Sequence, residues 1–536
     1  MRRVTSGLLL GLAVLAGAVA TAQRPGPTVF EGGRLIIGDG RVIENGALVV
    51  ENGRITRVGR MGEVQRPAGA TRVDLTGKTV MPTLVDAHLH VGYENMSSWK
   101  AENYTRENIV EHLNRLAYYG VGAAFSTGTD PNDLALQIQR DQAAGKTGGA
   151  RLVFAAGFGP PGAGPNGQLL KELTKFNEAV VRGITNDADA RQGVKEVAAK
   201  GIGFIKVWVT DRGGTQRKTT PEAYRGLIDE AHKHNIHVVA HATDSLADAK
   251  DLARAGLDGS IHAIIEADEE FAALMKKNNG FVTPAQGLGL RGNVPGLQPW
   301  FEDPFFQEAT PPATLERYRQ QAAKAQPAAP NALTLDERLA RAARMIKVLL
   351  DEGVRIAVGT DAGATPDYPP GYPTHREMEL YTKAGMTPQQ VIVAATKSGA
   401  EALGLDKDLG TLEAGKIANL LVLNADPRTD ITNTRRIASV YMQGKELDRS
   451  AMRKTWNPAA FRVSSTRTES APAFPSSCHR DADDCGSRNA SSSPLYPAPD
   501  IATARYCLPL SMYVIGDPVC GAGMYTAPTS WPVALS

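Results

Sequence analysis

The chain of 536 residues has four cysteines, and the first of them is Cys478. The body before it can depend on neither a disulfide nor thiolate chemistry, so a metal site there must use histidine, carboxylate or modified lysine. An excess of one charge is lacking too: 59 Lys and Arg stand against 57 Asp and Glu, and removing Arg2 and Arg3 takes the formal charge from +2 to 0. No basic patch argues for nucleic acid and no acidic excess for a cationic partner, which leaves a small molecule as the expected partner and a homo-oligomer open. An apolar run long enough for a comfortable membrane span is also missing at the N-terminus. Residues 1–22 carry Arg2 and Arg3, the apolar stretch Gly7 to Ala16 and the ending Ala20-Thr21-Ala22. That is the pattern of a secretory signal peptide, so the expectation is export to the periplasm or beyond, without stable membrane insertion. With 42% hydrophobic and 22% charged residues the remainder has the composition of a globular protein, of a length that implies more than one domain.

Turn signals divide the rest. From Thr28 to Val80, short apolar alternations are broken by Asp39-Gly40 and Glu51-Asn52-Gly53, which read as hairpins. A second set of strand patterns lies at Gly410–Lys416, Ala418–Leu423 and Ile437–Met442. We expect residues 23–80 and 406–449 to meet in one small β-sandwich. Between them, residues 81–405 repeat a strand-then-helix rhythm, with apolar runs at Val121–Phe125, Leu152–Ala156, Phe204–Val209, His237–Ala240, Gly259–Ile264, Gly280–Val282 and Arg355–Val358. With the run before His88 this makes about eight strands, the number that closes an α/β (β/α)8 TIM barrel. Thr219-Thr220-Pro221-Glu222 marks the best-defined helix start. Residues 450–536 are a low-complexity, cysteine-containing tail, expected to be disordered; its cysteines allow three disulfide connectivities, and their spacing fits no zinc pattern well.

The chemistry begins at Met81–His90, an apolar run that ends His88-Leu89-His90. Side chains alternate along a strand, so His88 and His90 share a face and can grip one metal ion. In a barrel the C-terminal strand ends build the active site, and other metal-competent groups fall there. Lys206 lies in strand four, His241 ends strand five, His262 lies in strand six and Asp361 follows strand eight. A lysine between Ile205 and Val207 could carry its ammonium out to solvent, but burying a bare charge is costly, which favours a ligand role. His232, His234, His237 and His375 read as surface or capping residues and His112 as part of an amphipathic helix, so none is assigned to metal. Tyr93 and Trp208 flank the proposed ligands and are candidates for substrate binding. The loops at 156–165 and 286–331 either shape substrate choice or cover the barrel wall.

Seven pieces in order carry a resemblance: Asn52-Gly53-Arg54-Ile55, Pro82 to His90, Phe204-Ile205-Lys206-Val207, Val239-Ala240-His241-Ala242, Ser260-Ile261-His262, Gly359-Thr360-Asp361 and Gly415 to Leu420. Over about residues 28–449 the chain resembles metal-dependent hydrolases of the amidohydrolase superfamily, in the branch with imidazolonepropionase-like proteins, Xaa-Pro dipeptidases and N-acyl amino acid hydrolases. It departs from that pattern at Thr83, Ile261 and Asn419, where the family usually has Gly, Glu and an acid. The resemblance implies two divalent metals, with zinc the default: His88, His90 and Asp361 on one, His241 and His262 on the other, and carboxylated Lys206 bridging them. It implies hydrolysis of an amide or peptide-like C–N bond by a metal-bridging hydroxide, with Asp361 also shuttling the proton. The alternatives are a mononuclear deaminase or cyclic amide or lactone hydrolase of the same superfamily, and a secreted binding protein on a degenerate barrel. His241-Ala242-Thr243-Asp244 lacks the glutamate that such deaminases tend to carry, which favours hydrolysis.

Overall fold

The apolar runs of the central region become short parallel strands with helices packed outside them, because strands buried on both faces must be apolar throughout. In this computed structural model, which describes residues 26–242, 245–262, 267–284, 299–324 and 334–457, the strands are β1 Leu84–Leu89, β2 Val121–Thr127, β3 Arg151–Gly159, β4 Phe204–Trp208, β5 His237–His241, β6 Gly259–Ile261, β7 Phe281–Thr283 and β8 Arg355–Ile356. They hydrogen-bond in sequence order, each parallel to the next. The segment that follows β8 returns to β1. Ala87 N–H donates to Val358 (2.8 Å), Thr360 and Asp361 N–H both donate to His88 (2.9 and 2.7 Å), and His90 N–H donates to Ala362 (2.7 Å). These bonds join the two edges of the sheet, so the fold is the expected (β/α)8 barrel.

Helix α1, Arg106–Tyr118, starts at Thr105, whose hydroxyl accepts from Asn108 N–H, and buries Ile109, Leu113, Leu116 and Ala117 against the strands. Helix α2, Pro221–Lys233, is capped by Thr220 with Pro221 in its first turn, and buries Ala223, Leu227, Ile228 and Ala231. In both helices the three- and four-residue spacing of the apolar positions makes one stripe facing the barrel.

The two flanking regions meet as expected. Hydrogen bonding links them in a single eight-stranded sheet, around one apolar cluster that includes Phe30, Leu48, Val80, Leu420, Val422 and Tyr441. Its join is Thr79–Pro82, which pairs antiparallel with Leu420–Leu423 and parallel with Thr28–Ile36. Asn52 and Gly53 sit at φ 51° and 77°, the two positive values that a tight hairpin between right-twisted strands requires. Pro82 runs on through Thr83 into β1, so this sheet anchors the strand that carries the first histidines.

The described part of the insertion between β7 and β8 contains helix α3, Pro312–Ala323. Its Phe301, Phe305, Phe306 and Tyr318 form an aromatic cluster with Tyr118 and Tyr119 at the end of α1, Tyr372 of helix α4 (Tyr372–Lys383) and Trp456 of helix α5 (Arg449–Trp456). This part of the insertion therefore covers the barrel wall. Residues 263–264 of the sixth strand run, the remainder of the insertion, the leader and the tail lie outside the described residues.

Candidate metal centre

His88 is in β1 and His90 directly follows it; their Nε2 atoms lie 3.3 and 3.0 Å from the same oxygen, Asp361 Oδ1. His262 Nε2 is 3.9 Å from Asp361 Oδ2, and its ring centre is 4.5 Å from that of His88 and 4.1 Å from that of His241. The ligand atoms of His88, His262 and Asp361 all fall within 4.8 Å of one another. Lys206 is 1% exposed, with Nζ 5.2 Å from the centre of the Trp208 ring. His88, His90, His241 and Asp361 are buried with it. The barrel thus brings all six sequence-predicted ligands to its C-terminal rim.

Backbone strain marks two of them. Asp361 (φ 57°) and His262 (φ 129°) are non-glycine residues at positive φ, a conformation that persists where the surroundings over-determine it. Asp361 is held by its N–H bond to His88, and His262 by its N–H bond to Thr283 of β7 (2.8 Å).

Burial sets the protonation. It holds His88 and His241 well below the ordinary imidazole range, and it pulls His262 down to about 3 while Asp361 draws the other way. Burial also holds Lys206 well below the ordinary lysine range, opposed by Asp361 and reinforced by Arg212. Burial pushes Asp361 up, but the facing His88, His262 and His90 outweigh it and keep the carboxyl below its usual range. The result is an ionised carboxylate close to the neutral forms of His88, His241, His262 and Lys206. His88 Nδ1 is buried with no hydrogen-bond partner among the described residues. Neutral imidazoles and a carboxylate converging at this spacing are a donor set that fits a divalent cation of the zinc type.

Several supporting residues carry no motif of their own. Thr129, in the loop after β2, meets His90 Nδ1 at 2.7 Å through its hydroxyl and so fixes the ring. Gly128 sits at φ 82° against the Lys206 stem, where an added Cβ would lie 2.7 Å from Lys206 Cβ and 2.9 Å from Trp208 Cη2. Arg212, after β4, donates to the Gly164 carbonyl at 3.0 Å, and its charge depresses His241 and His262 as well as Lys206. Asp86 lies in β1 two residues before His88, and burial raises its carboxyl to about 7.

Two expectations need correction. Tyr93 offers no exposed surface to a substrate among the described residues: it is fully buried, its hydroxyl donates to the Thr129 carbonyl, and its ring packs on Trp99, Tyr104 and Phe176. His375 is no surface residue: it is 1% exposed, with Nδ1 2.9 Å from Thr434 Oγ1 and Nε2 2.8 Å from the Tyr119 carbonyl. His112, also buried, accepts from Gly92 N–H and bonds the Glu94 carbonyl, which shapes the chain just after His90. Trp208, the other substrate-binding candidate, is also buried, with its ring against Lys206 Nζ.

Fold and site together define a closed parallel barrel with a histidine–carboxylate cluster, able to hold a metal ion, at the C-terminal ends of its strands. The amidohydrolase family pattern matches residues 79–447, more than half the chain, and the chain belongs to that family. It is 37% identical over 94 residues to a 5-methylthioadenosine/S-adenosylhomocysteine deaminase of Moorella thermoacetica, a match covering 16% of this chain and 22% of that protein. It is 33% identical over 79 residues to an imidazolonepropionase of Shouchella clausii, covering 15% and 17%. The chain thus spans about a fifth of the length of these curated relatives. Solved structures match over far more. A candidate prolidase from Bifidobacterium longum gives a TM-score of 0.60 at 26% identity over 80% of this chain and 98% of that one. A Xaa-Pro dipeptidase with methionine bound in its active site gives 0.61 at 21% over 79% and 100%, a likeness of fold.

Proposed function

We propose that this protein hydrolyses an amide or peptide-like C–N bond in a small substrate, such as a dipeptide, an N-acyl amino acid or a related amide. Two divalent cations, zinc by default, would be held by His88, His90 and Asp361 on one side and by His241 and His262 on the other, with carboxylated Lys206 between them. The observation that carries this reading is the convergence of three histidines on the one carboxylate of Asp361, in a buried rim that also encloses a lysine. When bound, such cations polarise a scissile carbonyl and lower the pKa of water.

The chain's own groups suit that chemistry. Burial keeps His88, His241 and His262 neutral, the form in which an imidazole nitrogen can ligate a cation. Burial also favours the free amine of Lys206, the form that adds to carbon dioxide with loss of a proton to give a carbamate. The carbamate then offers two oxygens where the ammonium offered none. Asp361, ionised and within reach of the reacting centre, can take a proton from the attacking water and return it to the leaving nitrogen. Thr129 holds the His90 ring so that Nε2 faces the site.

The candidate prolidase and the imidazolonepropionase support C–N chemistry of this kind. Deamination at a single metal is the second reading, favoured by the 37% identity to the deaminase over 94 residues. Metal analysis with a hydrolysis screen over dipeptides and N-acyl amino acids, run on wild type and Lys206→Ala, separates them. Two metals per chain and a silent variant support hydrolysis; one metal with ammonia release rejects it in favour of deamination.

We also propose export, on the strength of residues 1–22. The mature chain is expected to begin at Gln23 by N-terminal sequencing, and a retained Met1 rejects the proposal. The division into 23–80, 81–405, 406–449 and 450–536 is likewise proposed, and limited proteolysis should cut first beyond residue 450.

A further inference from the structure

The carboxylate of Asp86 is wholly buried in β1, yet neither oxygen lacks a partner. Oδ1 accepts from the backbone N–H of His88 (3.2 Å) and of Thr360 (3.3 Å). Oδ2 accepts from the hydroxyls of Thr360 and Thr374, each at 2.9 Å. These four donors come from three elements: β1 itself, the turn after β8 that presents Asp361, and α4 outside the barrel. Thr360 Oγ1 also accepts from Ala362 N–H at 3.1 Å, so the carboxylate is coupled to the backbone on both sides of Asp361.

Interior positions of a barrel are usually filled by apolar side chains, because a buried charge loses its hydration and recovers that loss only through well-formed hydrogen bonds. Packing alone would be met by a leucine. What a leucine could not do is tie the His88 backbone to the Asp361 turn. That turn stands at φ 57° and would relax without restraint. Asp130, another buried acid close to His90, has one oxygen without a partner among the described residues, so full satisfaction is not a general property of acids in this interior.

We propose that Asp86 is a positioning residue that locks β1 to the Asp361 turn, and so fixes the spacing between the histidine ligands and the carboxylate they share. The inference rests on the metal-centre reading above. Asp86 touches neither substrate nor metal; it acts through the backbone of His88 and Thr360.

The test measures zinc affinity by chelator competition, thermal unfolding of the metal-free protein, and kcat and KM separately, on full-length wild type, Asp86→Ala, Asp86→Asn and Thr374→Val. Loss of a group that orients a metal ligand typically costs 10- to 100-fold in affinity or activity, and that range is expected for Asp86→Ala, with kcat falling and KM held within about threefold. Asp86→Asn keeps an acceptor for the two N–H groups and should rescue part of the affinity. Thr374→Val removes one donor of four and should weaken zinc binding by about threefold, which decides the matter if Asp86→Ala does not fold. Variants with wild-type zinc affinity and kcat overturn the inference, as does a loss of metal-free thermal stability with affinity intact in the folded fraction. A wild type that binds no zinc overturns the metal-centre reading itself and this inference with it, whereas zinc-binding wild type with indifferent variants overturns this inference alone.

Discussion

Gly128→Ala probes how tightly the lysine of the centre is cradled. The residue is at φ 82°, and a Cβ there would lie 2.7 Å from Lys206 Cβ, 2.8 Å from Lys206 Cγ and 2.9 Å from Trp208 Cη2. Carbon atoms rest at about 3.5–4.0 Å, so the lysine stem or the loop must give way by roughly 1 Å. A left-handed alanine costs about 1–2 kcal/mol, overpacking adds about 1–3, and the smaller entropy of the unfolded alanine chain returns about 0.4–1. The net loss is about 3 kcal/mol, bounded by roughly 1 and 4.5. Gly145→Ala is the control: its φ is 68°, but nothing lies within 4 Å of an added Cβ, so it carries the backbone cost without the clash. Equilibrium urea unfolding should place Gly128→Ala below Gly145→Ala by the packing contribution, about 1–3 kcal/mol. Turnover should fall on the order of 10²-fold in the first variant, since a displacement of about 1 Å at a catalytic group costs that much, and stay at wild type in the second. Equal unfolding midpoints for the two variants would show that the cradle is loose and refute the reasoning.

Chelation of the purified protein should lower its thermal midpoint and added zinc should restore it, by an amount set by RT ln(1 + [L]/Kd), about 2.7 kcal/mol when free metal is 100 times Kd. Asp361→Asn should lose that response, and a wild type indifferent to chelator contradicts the metal centre. His375 is held neutral by burial at about 3, below the 6.5 of an exposed histidine, so its contribution is complete above pH 6.5 and is lost as pH falls from there toward 3, while the unfolded chain takes up the proton. In urea titrations between pH 6.5 and 5, the pH slope of His375→Gln should be shallower than wild type by about 1 kcal/mol per unit on average, approaching about 1.4 toward pH 5; equal slopes place the sensitivity elsewhere. Trp456 packs edge-on against Tyr118 at 5.3 Å and under the Arg115 guanidinium at 5.1 Å, so Trp456→Ala should destabilise by about 3–5 kcal/mol while zinc affinity holds; a loss of zinc affinity would mean that α5 reaches the centre.

The clustering of His88, His90, Lys206, His241, His262 and Asp361 was legible because each sits in a local pattern: an apolar run that ends at one rim of a barrel whose strand order follows the chain. The fold was legible for the same reason, since parallel strands buried on both faces read as apolar runs separated by amphipathic helices. Reading a residue close to His90 as one that faces a substrate failed at Tyr93, which is fully buried. Gly92, at φ 89°, turns the chain after His90 and sends that ring into the aromatic cluster around Tyr104. His375 failed differently. Its flanking Arg376 and Glu377 suggest an exposed helix start, but α4 is pressed between the end of α1 and Thr434, and no local feature reports that.

The hydrogen bonds that hold the ligands in place were beyond sequence reading for a related reason. Thr129 is 39 residues from His90 along the chain, and Asp86 is 274 from Thr360, so each looks like an ordinary loop or strand residue until the barrel closes. The division has a consequence for the chemistry. The identity of the clustered side chains is fixed by short motifs, whereas their spacing is fixed by contacts that exist only in the closed barrel. Substitutions at Thr129 or Asp86 should therefore change how strongly the centre holds metal while leaving every motif intact. Two chains with the same motif set can then differ in metal affinity and turnover through residues that no motif contains.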